Sequence, residues 1–101
     1  MITHKYRARR TETDGINFQS KKEARYYEDL KIMQKNGDII FFLRQVPFHL
    51  PGNIKYVCEF QIFCANGEVS FVDVKGVKTS LYITKKKLVE SLYPIKIEEI
   101  I

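Results

Sequence analysis

The chain has 101 residues, of which 45% are hydrophobic and 29% are charged, a composition typical of one globular domain rather than of a disordered chain. It has no apolar run of the roughly 18–20 residues that a membrane span requires and no apolar stretch typical of a signal peptide, so we expect a cytoplasmic protein with no membrane partner. The net charge of +5 favours an acidic partner, and nucleic acid is the commonest of these.

The N-terminal part predicts a basic arm followed by a helix. Residues 1–13 are polar and basic, and we expect them to be mobile, with one domain over residues 14–101. Asp14-Gly15 indicates a turn before the short extended piece at 16–18. Ser20 and Glu23 have the spacing of a capping box, so a helix should begin there and end near Asn36, with Gly37 as its left-handed cap.

The remainder predicts three strands, a helix and a last strand. Residues 39–43 and 46–50 are rich in β-branched and aromatic side chains and form one strand or a bent pair, with Pro47 at an edge or bulge. Strands at 55–64 and 69–75 are joined by a hairpin at Asn66-Gly67. Thr79 or Ser80 caps a helix to about Leu92, before a strand at 95–100. We therefore predict an α/β (α+β) fold with an αβββαβ core, a mixed sheet flanked by helices.

Two charged residues stand at the end of an apolar strand. Asp73 and Lys75 are two positions apart, so their side chains leave the same face about 7 Å from each other. Charged groups are rarely buried without a partner or a metal ion, which makes this pair a candidate site. A surface ion pair on an exposed strand is the alternative interpretation.

Glu59 lies in the neighbouring predicted strand, and the hairpin decides whether it joins this pair. A two-residue turn would pair residue 60 with Asp73 and send Glu59 to the opposite face. A three-residue loop pairs residue 59 or 61 with Asp73, which brings the two carboxylates and Lys75 onto one face. We predict the odd-length loop or an equivalent bulge.

Glu23 is a fourth candidate, because it shares a helix stripe with Tyr27 and Leu30. It is equally explained as the glutamate of the capping box alone. Carboxylates that converge beside a lysine suit phosphodiester hydrolysis. They hold Mg²⁺ or Mn²⁺, which lowers the pKa of an attacking water, while the lysine orients that water and offsets charge in the transition state.

The whole arrangement resembles the PD-(D/E)XK nuclease superfamily. The motifs F-x-S-K-K-E-A-R-Y, F-V-D-V-K-G and Y-P-I-K-I are similar to those of a family of small phage and prophage proteins, long of unknown function, that is grouped with Holliday-junction-resolvase-like endonucleases. The similarity runs from about Lys5 to the end of the chain. The middle-strand acid of that family is usually aspartate, in Y-x-A-D-F, whereas this chain has Glu59 in Y-V-C-E-F.

The resemblance implies a metal-dependent DNA endonuclease of a phage or prophage in a bacterial host. Glu59, Asp73 and the carbonyl of Val74 would ligate Mg²⁺ or Mn²⁺, Lys75 would position water, and Glu23 would be an auxiliary acid, bound directly or through water. A branched DNA substrate is implied by the resemblance alone, and no small-molecule cofactor is implied. Two strands to cut and one site per subunit favour a homodimer.

Basic residues are the candidates for contact with DNA phosphates, together with a tyrosine that follows the third strand. They are Lys5, Arg7, Arg9, Arg10, Lys78, Tyr82, Lys85, Lys86 and Lys87. The lysine run at 85–87 is also typical of a solvated helix face. A DNA-binding protein that has lost catalysis, or a regulatory protein on the same fold, is the alternative to the enzyme.

Overall fold

The computed structural model describes residues 11–101 and arranges them as two helices and two β-sheets. In chain order the elements are β1 (Thr11–Thr13), β2 (Ile16–Phe18), α1 (Lys21–Asn36), β3 (Ile39–Leu50), β4 (Ile54–Cys64), β5 (Val69–Val74), α2 (Ser80–Leu92) and β6 (Ile97–Ile100). From α1 onward this is the predicted αβββαβ order, and the α/β (α+β) class with a mixed sheet is confirmed.

The larger sheet has four strands in the order β3-β4-β5-β6. Neighbouring strands are antiparallel except β5 and β6, which are parallel because α2 returns the chain to the end of the sheet where β5 began. The edge strand β3 is one strand of 12 residues rather than two, and its edge position accommodates Pro47, which has no amide hydrogen to donate. Gln45 interrupts its regular geometry with a φ of 54°.

The loop between β4 and β5 sets the register of the candidate site. Phe60 pairs with Val72 and Phe63 with Val69, so the loop covers residues 65–67. Gly67 donates its amide hydrogen to the carbonyl of Cys64 at 3.0 Å and has a φ of 93°, which a glycine adopts without steric cost. The predicted odd-length loop is confirmed. The same register, continued past the last backbone pair, sets Glu59 opposite Asp73.

The caps of α1 are those that the sequence predicts. The hydroxyl of Ser20 accepts a hydrogen bond from the amide of Glu23 at 3.1 Å. At the other end Gly37 has a φ of 85° and donates to carbonyls of the last turn. The face of α1 that packs on the sheet buries Glu23, Ala24, Tyr27 and Leu30.

Helix α2 begins at its cap Thr79, whose hydroxyl accepts from the amide of Tyr82. Only Val89 is buried on this helix. Leu81 and Leu92, near the two ends of this helix, are 63% and 52% exposed. Only a narrow stripe of this helix therefore packs on the sheet, and the side chains at its two ends are exposed to solvent.

Two apolar clusters lie on the two faces of the larger sheet. The cluster under α1 is Phe18, Ala24, Tyr27, Leu30, Ile39, Phe60, Ile62, Val72 and Val74. The cluster under α2 is Leu50, Tyr56, Cys58, Val89 and Ile97. Cys58 belongs to one cluster and Phe60 to the other although they are two positions apart in β4, so the strand changes faces around Glu59. This is the point where the candidate site lies.

The small sheet differs from the expected N-terminal arm. Thr11 pairs with Phe18 and Thr13 with Ile16, so residues 11–13, which we had assigned to a mobile arm, form a strand. The turn at Asp14-Gly15 makes this hairpin possible, because both residues have positive φ values of 54° and 76°. The rest of the arm, with Lys5, Arg7, Arg9 and Arg10, lies outside the described residues. Neither helix within residues 11–101 has the length and apolar character that crossing a membrane demands.

Candidate active site

The candidate site lies where the backbone pairing of β4 and β5 ends. Beyond Phe60 and Val72, side chains replace the backbone ladder. The amide of Glu59 donates to Asp73 Oδ1 at 2.8 Å, and the amide of Val74 donates to Glu59 Oε1 at 2.6 Å. The two strands are thus held together by the two carboxylates, which the sequence predicted to lie opposite one another.

Glu59 is the central residue of the site. Its side chain is 15% exposed, and its second oxygen, Oε2, lies 3.4 Å from Lys75 Nζ. Burial raises the pKa of Glu59 to about 7, against the lowering effects of the Val74 amide and the Lys75 ammonium. The nearby charges of Glu23 and Asp73 raise this pKa further. Glu59 therefore keeps a raised pKa although a lysine lies beside it, because burial outweighs that attraction.

Asp73 lies across from Glu59 on the neighbouring strand and is 0% exposed. Its Oδ2 accepts a hydrogen bond from the hydroxyl of Tyr56, a buried residue of β4. Burial and the hydrogen bond to Asp73 raise the pKa of Tyr56 well above its ordinary value, so the phenol stays a donor. Tyr56 is a residue that sequence reasoning missed. The only signal for it was the need of a buried tyrosine hydroxyl for a partner.

Lys75 follows the end of β5, and its amide is fixed by a bond to the carbonyl of Ile100 at 2.8 Å. Its Nζ lies 4.8 Å from the centre of the Tyr82 ring as well as 3.4 Å from Glu59. Tyr82 in turn donates its hydroxyl hydrogen to Glu99 of β6 at 2.9 Å. The ammonium is therefore held between a carboxylate and an aromatic face.

Glu23 takes part in the helix cap and also lines the cavity. As part of the helix cap, its Oε1 accepts from the amide of Gln19 at 3.3 Å. It is only 4% exposed, and it lines the same cavity as Glu59 and Lys75. Glu23, Glu59 and Lys75 thus line one cavity. Asp73 lies outside this lining, where its carboxylate accepts from the Glu59 amide and the Tyr56 hydroxyl.

The cavity in front of these residues has a volume of about 380 Å³. Its lining is Ile16, Asn17, Gln19, Glu23, Arg44, Gln45, Val57, Glu59 and Lys75. Asp73 is absent from this lining because it is fully buried. Arg44 and Gln45, from the edge strand β3, were not among the predicted site residues. The signal for them was the polar break that they make in the apolar run of β3.

The basic residues near α2 are mostly engaged within the protein. The carboxylate of Glu99 forms ion pairs with the Nζ atoms of Lys78 at 3.4 Å and Lys86 at 3.9 Å. Burial by itself raises the pKa of Glu99, but the hydrogen bonds from Tyr82 and Lys78 and the charge of Lys86 give it a net lowered pKa. Lys85 Nζ donates to the carbonyl of Lys55 at 3.2 Å. Lys87 is exposed and has no such partner among residues 11–101.

The carboxylates of Glu23 and Glu59 in the cavity are donors of the type that Mg²⁺ prefers, whereas Asp73 is fully buried outside its lining. Glu59 and Asp73 each accept two hydrogen bonds from protein groups, and a carboxylate has about four lone-pair sites, so each keeps acceptor capacity. A bound cation would offset the cost of burying the Glu59 carboxylate, which is the largest cause of its raised pKa. In the present arrangement of residues 11–101, no three acidic, histidine or cysteine side chains are grouped around one point.

Comparison with known proteins places the chain in one family. The family model described as a protein of unknown function (DUF1064) matches residues 3–101. Neither the curated proteins nor the solved structures include a significant match. Because the family model covers nearly the whole sequence, the chain belongs to this DUF1064 family of unknown function.

Proposed function

We propose that this protein is a metal-dependent endonuclease that hydrolyses phosphodiester bonds in DNA, on a restriction-endonuclease-like variant of the αβββαβ core. The observation that carries the proposal is the contact of Lys75 with Glu59 in a polar cavity, while the amide of Glu59 donates to the buried Asp73. An ion pair used only for stability gains little from such a position, because burial of both charges is costly. A cavity that holds acids and an amine instead favours chemistry on a polar substrate.

The residues that would hold Mg²⁺ or Mn²⁺ are Glu59, Asp73 and the carbonyl of Val74, with Glu23 as an auxiliary acid. When bound, the ion would polarise the scissile phosphate and would lower the pKa of a water molecule. Lys75 is placed to orient that water and to offset charge on the phosphate, since its Nζ is fixed by Glu59 and Tyr82. The Val74 amide and the Lys75 ammonium hold the Glu59 carboxylate in place for its role as a metal ligand.

The proposal includes branched DNA as a substrate and a homodimer as the active form. Support for the substrate comes only from the sequence resemblance to PD-(D/E)XK resolvase-like nucleases. For the dimer, an edge strand with exposed Phe41 and Leu43 offers apolar surface for association. Sedimentation equilibrium tests the dimer, and a monomer at all concentrations would contradict it.

Cleavage assays test the nuclease proposal. Supercoiled plasmid, linear duplex and a synthetic four-way junction are incubated with Mg²⁺, Mn²⁺, Ca²⁺ or EDTA. We expect nicking with Mg²⁺ or Mn²⁺ and none with EDTA. Asp73→Asn and Lys75→Ala should abolish it, while Lys35→Ala, an exposed change on α1, should leave it intact. Equal cutting by Asp73→Asn and the unchanged protein would mean a contaminating nuclease.

A second candidate is a DNA-binding or regulatory protein that performs no hydrolysis. It is favoured because the carboxylates of Glu59 and Asp73 accept hydrogen bonds from protein groups and do not converge on one point in the cavity. Calorimetric titration with Mn²⁺ separates the candidates. An enzyme of the proposed kind binds the ion and loses this binding in Asp73→Asn, whereas the second candidate binds DNA with no metal requirement and cuts none.

A further inference from the structure

We propose that the cavity beside Glu59 binds a backbone phosphodiester of the nucleic acid next to the one under attack, with Arg44 as its anchor. Nothing in the sequence analysis assigned a role to Arg44. The location of this second phosphate relative to the reaction rests on the proposed function, but the anion-binding role of Arg44 does not. It follows from the surroundings of its guanidinium group.

The guanidinium of Arg44 is held in place but lacks an anionic partner. Its Cζ lies 4.6 Å from the centre of the ring of Phe18, a residue that is 1% exposed, and the face of the ring attracts the cation. Within residues 11–101 no carboxylate forms an ion pair with it, and its buried Nε has no hydrogen-bond partner. A partly buried cation whose donors are unsatisfied is costly unless a ligand supplies acceptors.

The sheet brings Arg44 next to the candidate active site. Arg44 pairs with Phe60 and Val46 with Cys58, so Gln45 faces Glu59 across β3 and β4. Gln45 has a φ of 54°, a conformation that costs a non-glycine residue roughly 1 kcal/mol or more and that is concentrated at functional sites. Both residues line the cavity, together with the amide side chain of Gln19. Donors from two elements thus surround the space beside Glu59.

A phosphodiester is the ligand that this donor set suits best. The planar guanidinium presents paired N–H groups that match phosphate oxygens, and the amide groups of Gln19 and Gln45 add neutral donors. Glu23 and Glu59 line the same cavity and disfavour a doubly charged anion such as free phosphate. A backbone phosphodiester carries one charge, and its neighbouring phosphate would lie toward Lys75.

Binding of fluorescein-labelled duplex DNA, followed by anisotropy with Ca²⁺ in place of Mg²⁺, tests the role of Arg44. We expect Arg44→Gln to weaken binding about tenfold and to lower the salt-dependence slope by about 0.9, the value for one lost phosphate contact. Arg44→Lys should fall between, because it keeps the charge and loses the paired N–H geometry. Lys35→Gln removes the same charge from the exposed surface of α1 and is the matched control. If Arg44→Gln behaves as Lys35→Gln does, the proposal is wrong.

A second measurement uses the unchanged protein and so does not depend on the folding of a variant. The Nε–Hε resonance of Arg44 should shift in NMR spectra on titration with a dinucleotide phosphodiester, and much less with inorganic phosphate. No shift with the dinucleotide would overturn the proposal, and an equal shift with inorganic phosphate would overturn the assignment to a phosphodiester. Loss of DNA cleavage in every assay, with the Arg44 effects retained, would refute the nuclease and leave the anion site. Normal cleavage, together with unchanged DNA binding in Arg44→Gln and Arg44→Lys, would refute the anion site and leave the nuclease.

Discussion

The carboxylate of Asp73 accepts a hydrogen bond from the backbone amide of Glu59, 2.8 Å away on the neighbouring strand. The relationship is reciprocal, because the carboxylate of Glu59 accepts from the amide that follows Asp73. Two acids thus take the place of a backbone ladder at the end of β4 and β5. Their geometry couples the stability of the sheet to the arrangement of the site.

Removal of the Tyr56 hydroxyl should destabilise the protein. Tyr56→Phe takes one of two donors from the fully buried Asp73, so we expect the free energy of unfolding to fall by about 1–3 kcal/mol. Urea denaturation measures the change. Tyr93→Phe, which removes an exposed hydrogen bond to the carbonyl of His49, is the control and should cost about 0.5 kcal/mol or less. Equal losses in the two variants would show that Asp73 gains nothing from Tyr56.

Glu59 should make stability fall as the pH rises. Its pKa is about 7 in the folded protein against a usual 4.5, so the folded state binds this proton more tightly than the unfolded chain. The free energy of unfolding therefore falls between about pH 4.5 and pH 7 and stays lower above that range. Allowing for solvent screening, we expect a loss of about 1–2 kcal/mol from this group.

Glu59→Gln isolates this effect because it has nearly the same shape and does not titrate. Urea denaturation at about pH 5 and about pH 8 should show a smaller drop in the variant than in the unchanged protein. The difference between the two drops is the contribution of Glu59. A drop of the same size in both proteins would place the titration elsewhere.

Divalent ions should raise the melting temperature if they bind where we propose. At about pH 8, Mn²⁺ should stabilise the unchanged protein by mass action, since only the folded state forms the site. Asp73→Asn keeps the shape of the side chain and removes its charge, so the shift with Mn²⁺ should disappear. Scanning calorimetry with and without EDTA makes the comparison. A shift that persists in Asp73→Asn would assign the ion to another part of the chain.

The register of the site depends on Gly67 in the hairpin loop. Gly67→Ala places a Cβ on a residue with a φ of 93°, and no heavy atom lies within 4 Å of that Cβ, so the cost is conformational. We expect a loss of about 1–2 kcal/mol in the free energy of unfolding. Gly76→Ala, at an equally open position without a positive φ, should cost much less. Similar losses at both positions would contradict this account.

Much of the architecture was predictable because its signals are local. Ser20, Glu23 and Gly37 fixed the ends of α1, since caps depend on residues a few positions apart. Asn66-Gly67 indicated a hairpin, and the odd-length loop predicted there put residue 59 or 61 opposite Asp73. The structure has the register of residue 59. The β1–β2 hairpin was missed at residues 11–13, whose polar composition resembles that of an arm.

The sequence by itself determined the order of the elements from α1 onward and the ends of α1, because caps and turns are local. It predicted an odd-length loop after β4 without deciding between residues 59 and 61 as the partner of Asp73. Only the tertiary structure decided that the hydroxyl of Tyr56 donates to the buried Asp73. It also decided that Tyr82 contacts Lys75 while donating to Glu99. The same holds for Arg44 and Gln45, which line the cavity. These contacts join residues distant in the chain, and they depend on strand order and on where β4 changes faces. No local preference of a residue encodes such neighbours, since they arise from the packing of whole elements.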